Sequence, residues 1–451
     1  MSALAVTRHY FPDRNRRRTL LALALPIIGG MMSQNILNLV DIAMVGRLGT
    51  TALAAAGLGS FANWLSMAFI LGLATGVQAI CARRVGEQAQ GEIAVPLNGG
   101  LLLALILGLP LALLVSIFAP PLLSVINPDD EVVREATPYL QVRLAALVAV
   151  GMNFAFRGYW SAVHMTRLYL VTLLVMHSVN IFLNWVLIFG NLGAPAMGVT
   201  GAGLATTLSI SLGTLIYIVF GIRYAWDEGF LHRLPRRRVL LDQMRLSLPA
   251  SIQQLFFAGG MVALITIVGY IGTRELAAVH VLLTLGLVIV LPSIGLGIAT
   301  ATLVGNALGR QDVEDARRWG WNATLFVGSM GILMGVLILV FGRPILSIFL
   351  TDPATLEVAY TPLLITALVI GFDTAGLVMM HALLGAGATG QVMRISIVLQ
   401  WLVFLPLAAL VGPVLGFGLI GVWVLQAMYR TGQTLWFATA WRKGRWESIR
   451  V

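Results

Sequence analysis

About twelve apolar stretches, each near 20 residues or longer, run through this 451-residue chain. They lie at 19–45, 52–80, 94–118, 136–157, 168–190, 197–222, 246–271, 276–304, 319–342, 357–385, 395–415 and 417–440. Each is long enough for a helix to cross a bilayer core of about 30 Å. Inside hydrocarbon a helix satisfies its own backbone groups, so runs of this length and kind read as transmembrane helices. The chain is 58% hydrophobic and 11% charged, against roughly 25% charge in soluble domains, which excludes an ordinary soluble globule. The expected fold is all-α and integral to the membrane, with twelve transmembrane helices. The connections are too short for a second soluble domain, apart from a basic linker around 223–245.

The formal net charge of +10 is a topology signal rather than a sign of a nucleic-acid partner. Of the 29 Lys and Arg, 23 fall in the N-terminus, the even-to-odd connections and the C-terminus. Only Arg47, Arg134, Arg274 and Arg343 fall on the other side, while Arg143 and Arg430 sit within spans. The positive-inside rule then places both termini in the cytoplasm. The first apolar run is too long for a signal-peptide core and is read as a retained span, in spite of Arg16-Arg17-Arg18 before it. The single Cys81 rules out an intrachain disulfide.

The two halves repeat. A gapless offset of 223 residues lays Leu23, Leu25 and Pro26 on Leu246, Leu248 and Pro249. It also lays Gly46-x-x-Gly49-Thr50-x-x-Leu53-Ala54-Ala55 on Gly269-x-x-Gly272-Thr273-x-x-Leu276-Ala277-Ala278. With small shifts Gly158 and Arg167 pair with Gly385 and Arg394, and Gly198-x-x-Gly201 with Gly418-x-x-Gly421. Six spans per repeat is an even number, so both halves cross in the same sense, related by an axis along the membrane normal. The expected organisation is an N-lobe at 1–222, the cytoplasmic linker at 223–245 and a C-lobe at 246–451, two bundles enclosing a central cleft. Pro26 and Pro249 each remove a helix hydrogen bond and are expected to kink the first and seventh spans at equivalent places.

Of the nineteen acidic residues, only Asp41 and Asp373 lie inside apolar stretches. A carboxylate near mid-bilayer costs on the order of 3 kcal/mol or more, so it faces a cavity or a partner. Gln34, Asn38 and Asp41 are spaced i, i+4, i+7 and share one face of the first helix. Asn180 and Asn184 are i, i+4 on the fifth span, and Thr206 is early in the sixth. At about 1.5 Å per residue, Asp41, Asn184 and Thr206 lie roughly 7–12 Å below the outer surface. Oxygens in one layer suit a carboxylate that gains and loses a proton, or a small hard cation such as Na⁺. Helix–helix hydrogen bonding is the competing reading for the asparagines. Asp373 has Thr374, a backbone carbonyl or His381 as candidate partners, and Gln253, Gln254, Gln400 and Gln426 are candidates to line a C-lobe cavity. Arg143 and Arg430 receive no role. The eleven Trp read mostly as interface anchors and the seventeen Met as adaptable filler. There is no G-x-x-x-x-G-K-[ST] loop and the six His are scattered, so neither ATP hydrolysis by that route nor a metal cluster is expected, and no cofactor.

Leu39-Val40-Asp41-Ile42-Ala43-Met44-Val45-Gly46-Arg47-Leu48-Gly49, Asn180-x-x-x-Asn184-Trp185-x-Leu187-Ile188-Phe189-Gly190 and Met197-Gly198-x-x-Gly201-Ala202-x-x-Ala205-Thr206 resemble motifs of the multidrug and toxic compound extrusion (MATE) family. The likeness is strongest to its bacterial DinF-like branch and covers essentially the whole chain. Asp373 followed twelve residues later by Gly385 adds a fourth motif. The resemblance implies two six-helix lobes and cation-driven export of organic, often cationic and amphiphilic, compounds. It makes Asp41 the N-lobe coupling acid, with Asn180, Asn184 and Thr206 around it. Two positions depart from the pattern: Asn184 stands where DinF-like members carry Asp, and Phe257 where the NorM-like branch carries a glutamate. Asp373 matches a NorM-type C-lobe acid, so the chain mixes features of both branches.

The expected function is thus a bacterial inner-membrane antiporter, multi-pass and monomeric, driven by an H⁺ or Na⁺ gradient and exporting small organic compounds. Asp41, Asn180, Asn184, Thr206, Gln34, Asn38 and Asp373 are its candidate ion- and substrate-binding residues, Na⁺ being possible at Asp41, Asn180 and Asn184. The alternatives are a lipid-linked saccharide flippase of the same broad superfamily, which would present a basic cavity, and a major-facilitator carrier, whose motif Arg83-Arg84-Val85-Gly86-Glu87 fits poorly.

Overall fold

The computed structural model describes residues 11–450. Among the described residues the chain is helical, and its elements follow the apolar stretches closely. The helices are α1 Arg14–Gly46, α2 Thr50–Gly86, α3 Val95–Ile117, α4 Ala119–Ile126, α5 Asp130–Ala145, α6 Leu147–Ala162, α7 Thr166–Phe189 and α8 Gly198–Tyr224. There follow α9 Arg237–Gly269, α10 Thr273–Gly309, α11 Val313–Phe349, α12 Pro353–Gly385, α13 Thr389–Val414 and α14 Gly418–Arg442. Ten of these are long and apolar enough to cross a membrane by themselves. The pair α5 and α6 makes an eleventh, bent by 46°. Helix α14, at 25 residues, completes twelve spans, its apolar character diluted by Gln426, Arg430 and Gln433.

The fourth span, read from sequence as one stretch, is therefore broken. The break is a tightened turn at Ala146, whose N–H bonds the Arg143 carbonyl at 3.2 Å before Val150 N–H resumes the helix on the Ala146 carbonyl at 2.8 Å. Span α13 departs differently, with π-helical turns at Val398–Phe404 and Leu410–Val414. Pro406 and Pro413 lie within or beside these turns, and a proline that cannot donate to the carbonyl four residues back favours such widening.

The contacts divide the chain into two compact units, residues 29–251 and residues 11–28 with 252–450. The cuts fall inside α1 and α9, not in the segment 223–245. Each cut comes two residues after a proline, Pro26 or Pro249, and each proline is the thirteenth residue of a 33-residue helix. Arg16 secures the start of α1 to its unit: it pairs with Asp315, donates to Asn322 Oδ1 at 3.1 Å and lies 4.5 Å over the Trp319 ring. Leu20, Leu23 and Ala24 join the same buried cluster as Leu296, Ala299 and Leu303. The start of α9 packs into the other unit, where Gln243 Nε2 donates to the Pro96 carbonyl at 3.2 Å and Leu240 and Met244 lie against Ile70, Leu73 and Leu103.

The basic segment before α9 is built into the 29–251 unit rather than strung as a free linker. Buried Asn98 donates to the Gly229 and Arg233 carbonyls, both at 2.8 Å, and accepts from Leu231 N–H at 3.0 Å. The repeat reappears in the caps. Asp129 accepts from Glu131 N–H at 2.9 Å at the start of α5, and Asp352, at the same 223-residue offset, accepts from Thr355 N–H at 3.0 Å at the start of α12. The Thr355 hydroxyl and the capped N–H groups hold the Asp352 carboxyl below the usual carboxylate range. Three tryptophans depart from the anchor reading: Trp160, Trp441 and Trp446 are fully buried, the last two stacked at 4.1 Å between ring centroids.

Helix α9 approaches α2 where Gly76 leaves no side chain in the way. A Cβ there would lie 3.0 Å from the Gln243 carbonyl oxygen and closer still to Ser247 Oγ. Gly76→Ala is expected to cost about 1–3 kcal/mol by overpacking. Gly57→Ala, in open space, should be neutral or stabilise by up to about 1 kcal/mol. Thermal unfolding of the two variants in detergent micelles checks the contrast.

Candidate functional site

Asp41 sits near the C-terminal end of α1, half-buried, on a helix whose Ile36, Leu39 and Ile42 are exposed. Its carboxylate meets protein. Asn184 Nδ2, on α7, donates to Asp41 Oδ1 at 2.6 Å. Asn180, one turn earlier on α7, serves the site in either amide orientation. With its oxygen towards Asn184 it accepts from Asn184 Nδ2 at 3.0 Å. Turned over, its nitrogen donates to Asp41 Oδ1 at 3.1 Å and its oxygen takes Thr206 Oγ1 at 3.1 Å and Thr206 N–H at 3.2 Å. Asn180 and Asn184 are almost completely buried, and Asn184 Oδ1 takes no hydrogen bond. Asp41 of α1, Asn180 and Asn184 of α7 and Thr206 of α8 thus form one connected polar cluster in which the α7 amides meet the carboxylate and Thr206 braces Asn180.

Glycines set this convergence. Gly190 caps α7 in the left-handed region at φ +75°, and a Cβ on it would meet Ala196 N at 2.9 Å. Met197 N–H then returns to the Leu187 carbonyl at 2.9 Å. Gly201 lets α8 lie against that same carbonyl, which a Cβ would approach to 2.5 Å. One and a half turns further on, Thr206 faces Asn180. The glycine motifs are the geometry of the site.

Gln34 and Asn38 share the Asp41 face of α1, with Gln34 Nε2 donating to Asn38 Oδ1 at 3.1 Å. Two residues that the sequence leaves without a role also belong here. Arg143, on α5, donates to Tyr139 Oη at 3.3 Å. His177, one turn before Asn180, bonds Ser33 and Gln34 of α1. Its signal was its position: His177, Asn180 and Asn184 run i, i+3, i+7 along one face.

Asp373 is placed differently from Asp41. Its partner is neither Thr374 nor His381: Thr374 Oγ1 donates to the Ile370 carbonyl at 2.9 Å and His381 Nδ1 meets the Leu377 carbonyl at 2.8 Å. Asp373 forms an ion pair with Arg430 of α14, whose Nη1 also donates to Gln433 Oε1 at 3.2 Å. The pair lines a small cavity with Thr366, Trp423 and Gln426, and Gln426 Oε1 is buried without a hydrogen bond. Gln400 lies elsewhere, against Gly260. Asp373 is thus balanced by an arginine of its own unit, whereas the hydrogen-bond partners of Asp41 are neutral amides. Among the described residues no group of three or more His, Cys, Asp or Glu could hold a metal.

The MatE family model matches the chain twice, over residues 26–186 and 249–410. The chain belongs to the MatE (MATE) family. The two matches start 223 residues apart, each on its proline, so the family unit and the repeat coincide. Membership makes the chain a multi-pass membrane transporter rather than an enzyme and removes the major-facilitator reading. Among its relatives, a probable multidrug resistance protein NorM of Synechococcus is 30% identical over 429 residues, covering 90% of each chain. One of Thermotoga maritima is 26% identical over 445 residues, 96% of this chain and 94% of the relative. The probable multidrug resistance protein YoeA of Bacillus subtilis is 25% identical over 417 residues, 90% of this chain and 89% of the relative. Solved structures of this family share the fold. An outward-facing multidrug resistance MATE transporter of the MOP superfamily has a TM-score of 0.86 at 22% identity, covering 95% of this chain and 97% of that one. The Vibrio cholerae MATE transporter VcmN has 0.88 at 19%, covering 96% and 99%.

The two acids predict opposite responses to neutralisation. Asp373→Asn leaves Arg430 as a buried uncompensated charge and should cost about 3–5 kcal/mol, largely restored by adding Arg430→Gln. Asp41→Asn, already among amides, should leave the unfolding temperature nearly unchanged. Thermal unfolding of the three variants in micelles is the check.

Proposed function

We propose that this MATE transporter is a cation-coupled antiporter that exports organic, cationic and amphiphilic compounds across a bacterial inner membrane, with H⁺ or Na⁺ entering at Asp41. The observation that carries the reading is a half-buried carboxylate held by neutral amides and, among the described residues, in no ion pair. Such a group can trade one cation for another, because none of its contacts is a permanent counter-charge. An ionised Asp41 takes two amide donors; a proton or a bare Na⁺ at the same oxygen calls instead for acceptors. Asn180 supplies either by turning its amide, and Asn184 Oδ1 stands ready as a buried acceptor. Asp41, Asn180, Asn184 and Thr206 together offer the oxygen set a hard cation requires.

Filling Asp41 with a proton or Na⁺ removes the negative charge that attracts a cationic cargo, so the two compete. One charge crossing 100 mV is worth about 2.3 kcal/mol, roughly a fiftyfold concentration ratio. The multidrug resistance names of NorM and YoeA relatives support a polyspecific organic cargo. Asp373 is assigned no coupling role, because Arg430 already neutralises it. Pro26 and Pro249, just before the points where α1 and α9 pass between units, are the expected flex points of the transport cycle. The transporter acts as a monomer with both termini cytoplasmic, the placement of its Lys and Arg supporting this orientation.

The test is uptake of a fluorescent organic cation into energised inverted vesicles, under an imposed pH gradient or an imposed Na⁺ gradient. Wild type should respond to one gradient, and Asp41→Asn should lose at least about tenfold of that uptake, a loss of roughly 1.4 kcal/mol or more of coupling. Full-rate uptake by Asp41→Asn would contradict the assignment.

A further inference from the structure

His177 is buried in the 29–251 unit, and the coupling scheme above does not use it. Its two ring nitrogens both have side-chain partners on α1. Nε2 lies 3.1 Å from Gln34 Oε1 and Nδ1 lies 2.7 Å from Ser33 Oγ. The Gln34 amide is fixed in turn, since its nitrogen donates to Asn38 Oδ1 at 3.1 Å. Gln34 Oε1 is therefore the acceptor and Nε2 carries the hydrogen. Neutral His177 must then accept at Nδ1 from the Ser33 hydroxyl. If Nδ1 takes a proton, the imidazolium donates from both nitrogens, and Ser33 need only rotate its hydroxyl to become an acceptor. Both charge states are satisfied in place, with no side chain moved. A histidine kept only for packing does not need two partners that serve it charged as well as neutral.

Its position relative to Asp41 is equally specific. Side-chain hydrogen bonds join α1 to α7 at two levels: Ser33 and Gln34 with His177, and Asp41 with Asn184. Both helices advance seven residues between them, two turns or about 10.5 Å. We propose that His177 is a second proton-binding site of this unit, electrostatically linked to Asp41; the link rests on the reading of Asp41 as the ion site. The other charged or titratable groups on the helices packed about α7 are Arg157 and Tyr159 on α6, and Tyr217, Arg223 and Tyr224 on α8. On α7 itself they are Arg167 and Tyr169. Arg157 lies 4.7 Å from the Phe154 ring, and Tyr217 Oη donates to the Tyr169 carbonyl at 3.4 Å. On the α1 stretch facing His177 the titratable group is Asp41. A proton on His177 favours the ionised form of Asp41, and a cation on Asp41 disfavours the proton on His177.

The test uses full-length protein in lipid nanodiscs with ¹⁵N-labelled histidine, the His177 signals assigned by their loss in His177→Gln. On acidification from about pH 8 to about pH 5, the His177 pair should pass from the neutral Nε2–H pattern to imidazolium. In Asp41→Asn the midpoint should move down by about one pH unit, the effect of a charge roughly 10 Å away at an effective dielectric near 20. His177→Gln keeps both neutral-state hydrogen bonds and cannot take a proton, so its vesicle uptake should lose the acid limb of the wild-type pH profile. A His177 signal that stays neutral down to about pH 4.5, a midpoint indifferent to Asp41, or a His177→Gln profile that overlies wild type would overturn the proposal. Failure of the Asp41 reading would register separately, as undiminished uptake by Asp41→Asn while its imidazole still titrates.

Discussion

A charge inside hydrocarbon must be answered by something, and what answers it decides what the charge can do. This chain carries two intramembrane carboxylates and answers them in two ways. Asp373 is met by the guanidinium of Arg430, a partner as permanent as the chain itself. Asp41 is met by the amides of Asn184 and Asn180, which solvate its charge without cancelling it. The first arrangement is structural: removing either partner exposes the cost of the other. On the proposed reading, the second is the one that can be refilled from solution.

The rest of the fold holds that cage in register. Helix α8 reaches Asn180 because Gly201 lets it lie on the Leu187 carbonyl, and the chain turns there because Gly190 accepts a left-handed conformation. Helices α1 and α9 each belong to both compact units, changing allegiance two residues beyond Pro26 and Pro249. The segment that carries Asp41 thus packs with one unit while the start of the same helix is anchored to the other through Arg16, Asp315 and Trp319. A proline at the changeover removes the hydrogen bond that would otherwise stiffen it.

Much of this was legible from residues alone. Span positions follow from apolar length, and the duplication shows in the proline and glycine register at one offset, which Asp129 and Asp352 repeat as helix caps. The Asp41, Asn184 and Thr206 layer came from counting rise along helices. What escaped were relations between helices far apart in sequence. Arg430 and Asp373 are opposite charges in spans of the same half, yet only packing shows that they meet. His177 looked like one of six scattered histidines until α1 and α7 lay side by side. The unit boundary escaped because composition marks 223–245 as a linker, whereas Asn98 pins that segment down and the contacts change inside continuous helices. The bend at Ala146 carries no proline or glycine to announce it.

Competition between ion and cargo at Asp41 is most directly seen at equilibrium, as binding of a fluorescent organic cation to the purified transporter over about pH 5 to about pH 8, with and without Na⁺. Wild-type affinity should fall by about tenfold or more as a proton or Na⁺ fills the site, and Asp41→Asn should bind weakly and with no dependence on either ion. An Asp41→Asn protein that keeps the full wild-type dependence on pH or Na⁺ would place the ion site elsewhere and contradict the amide cage as the seat of coupling.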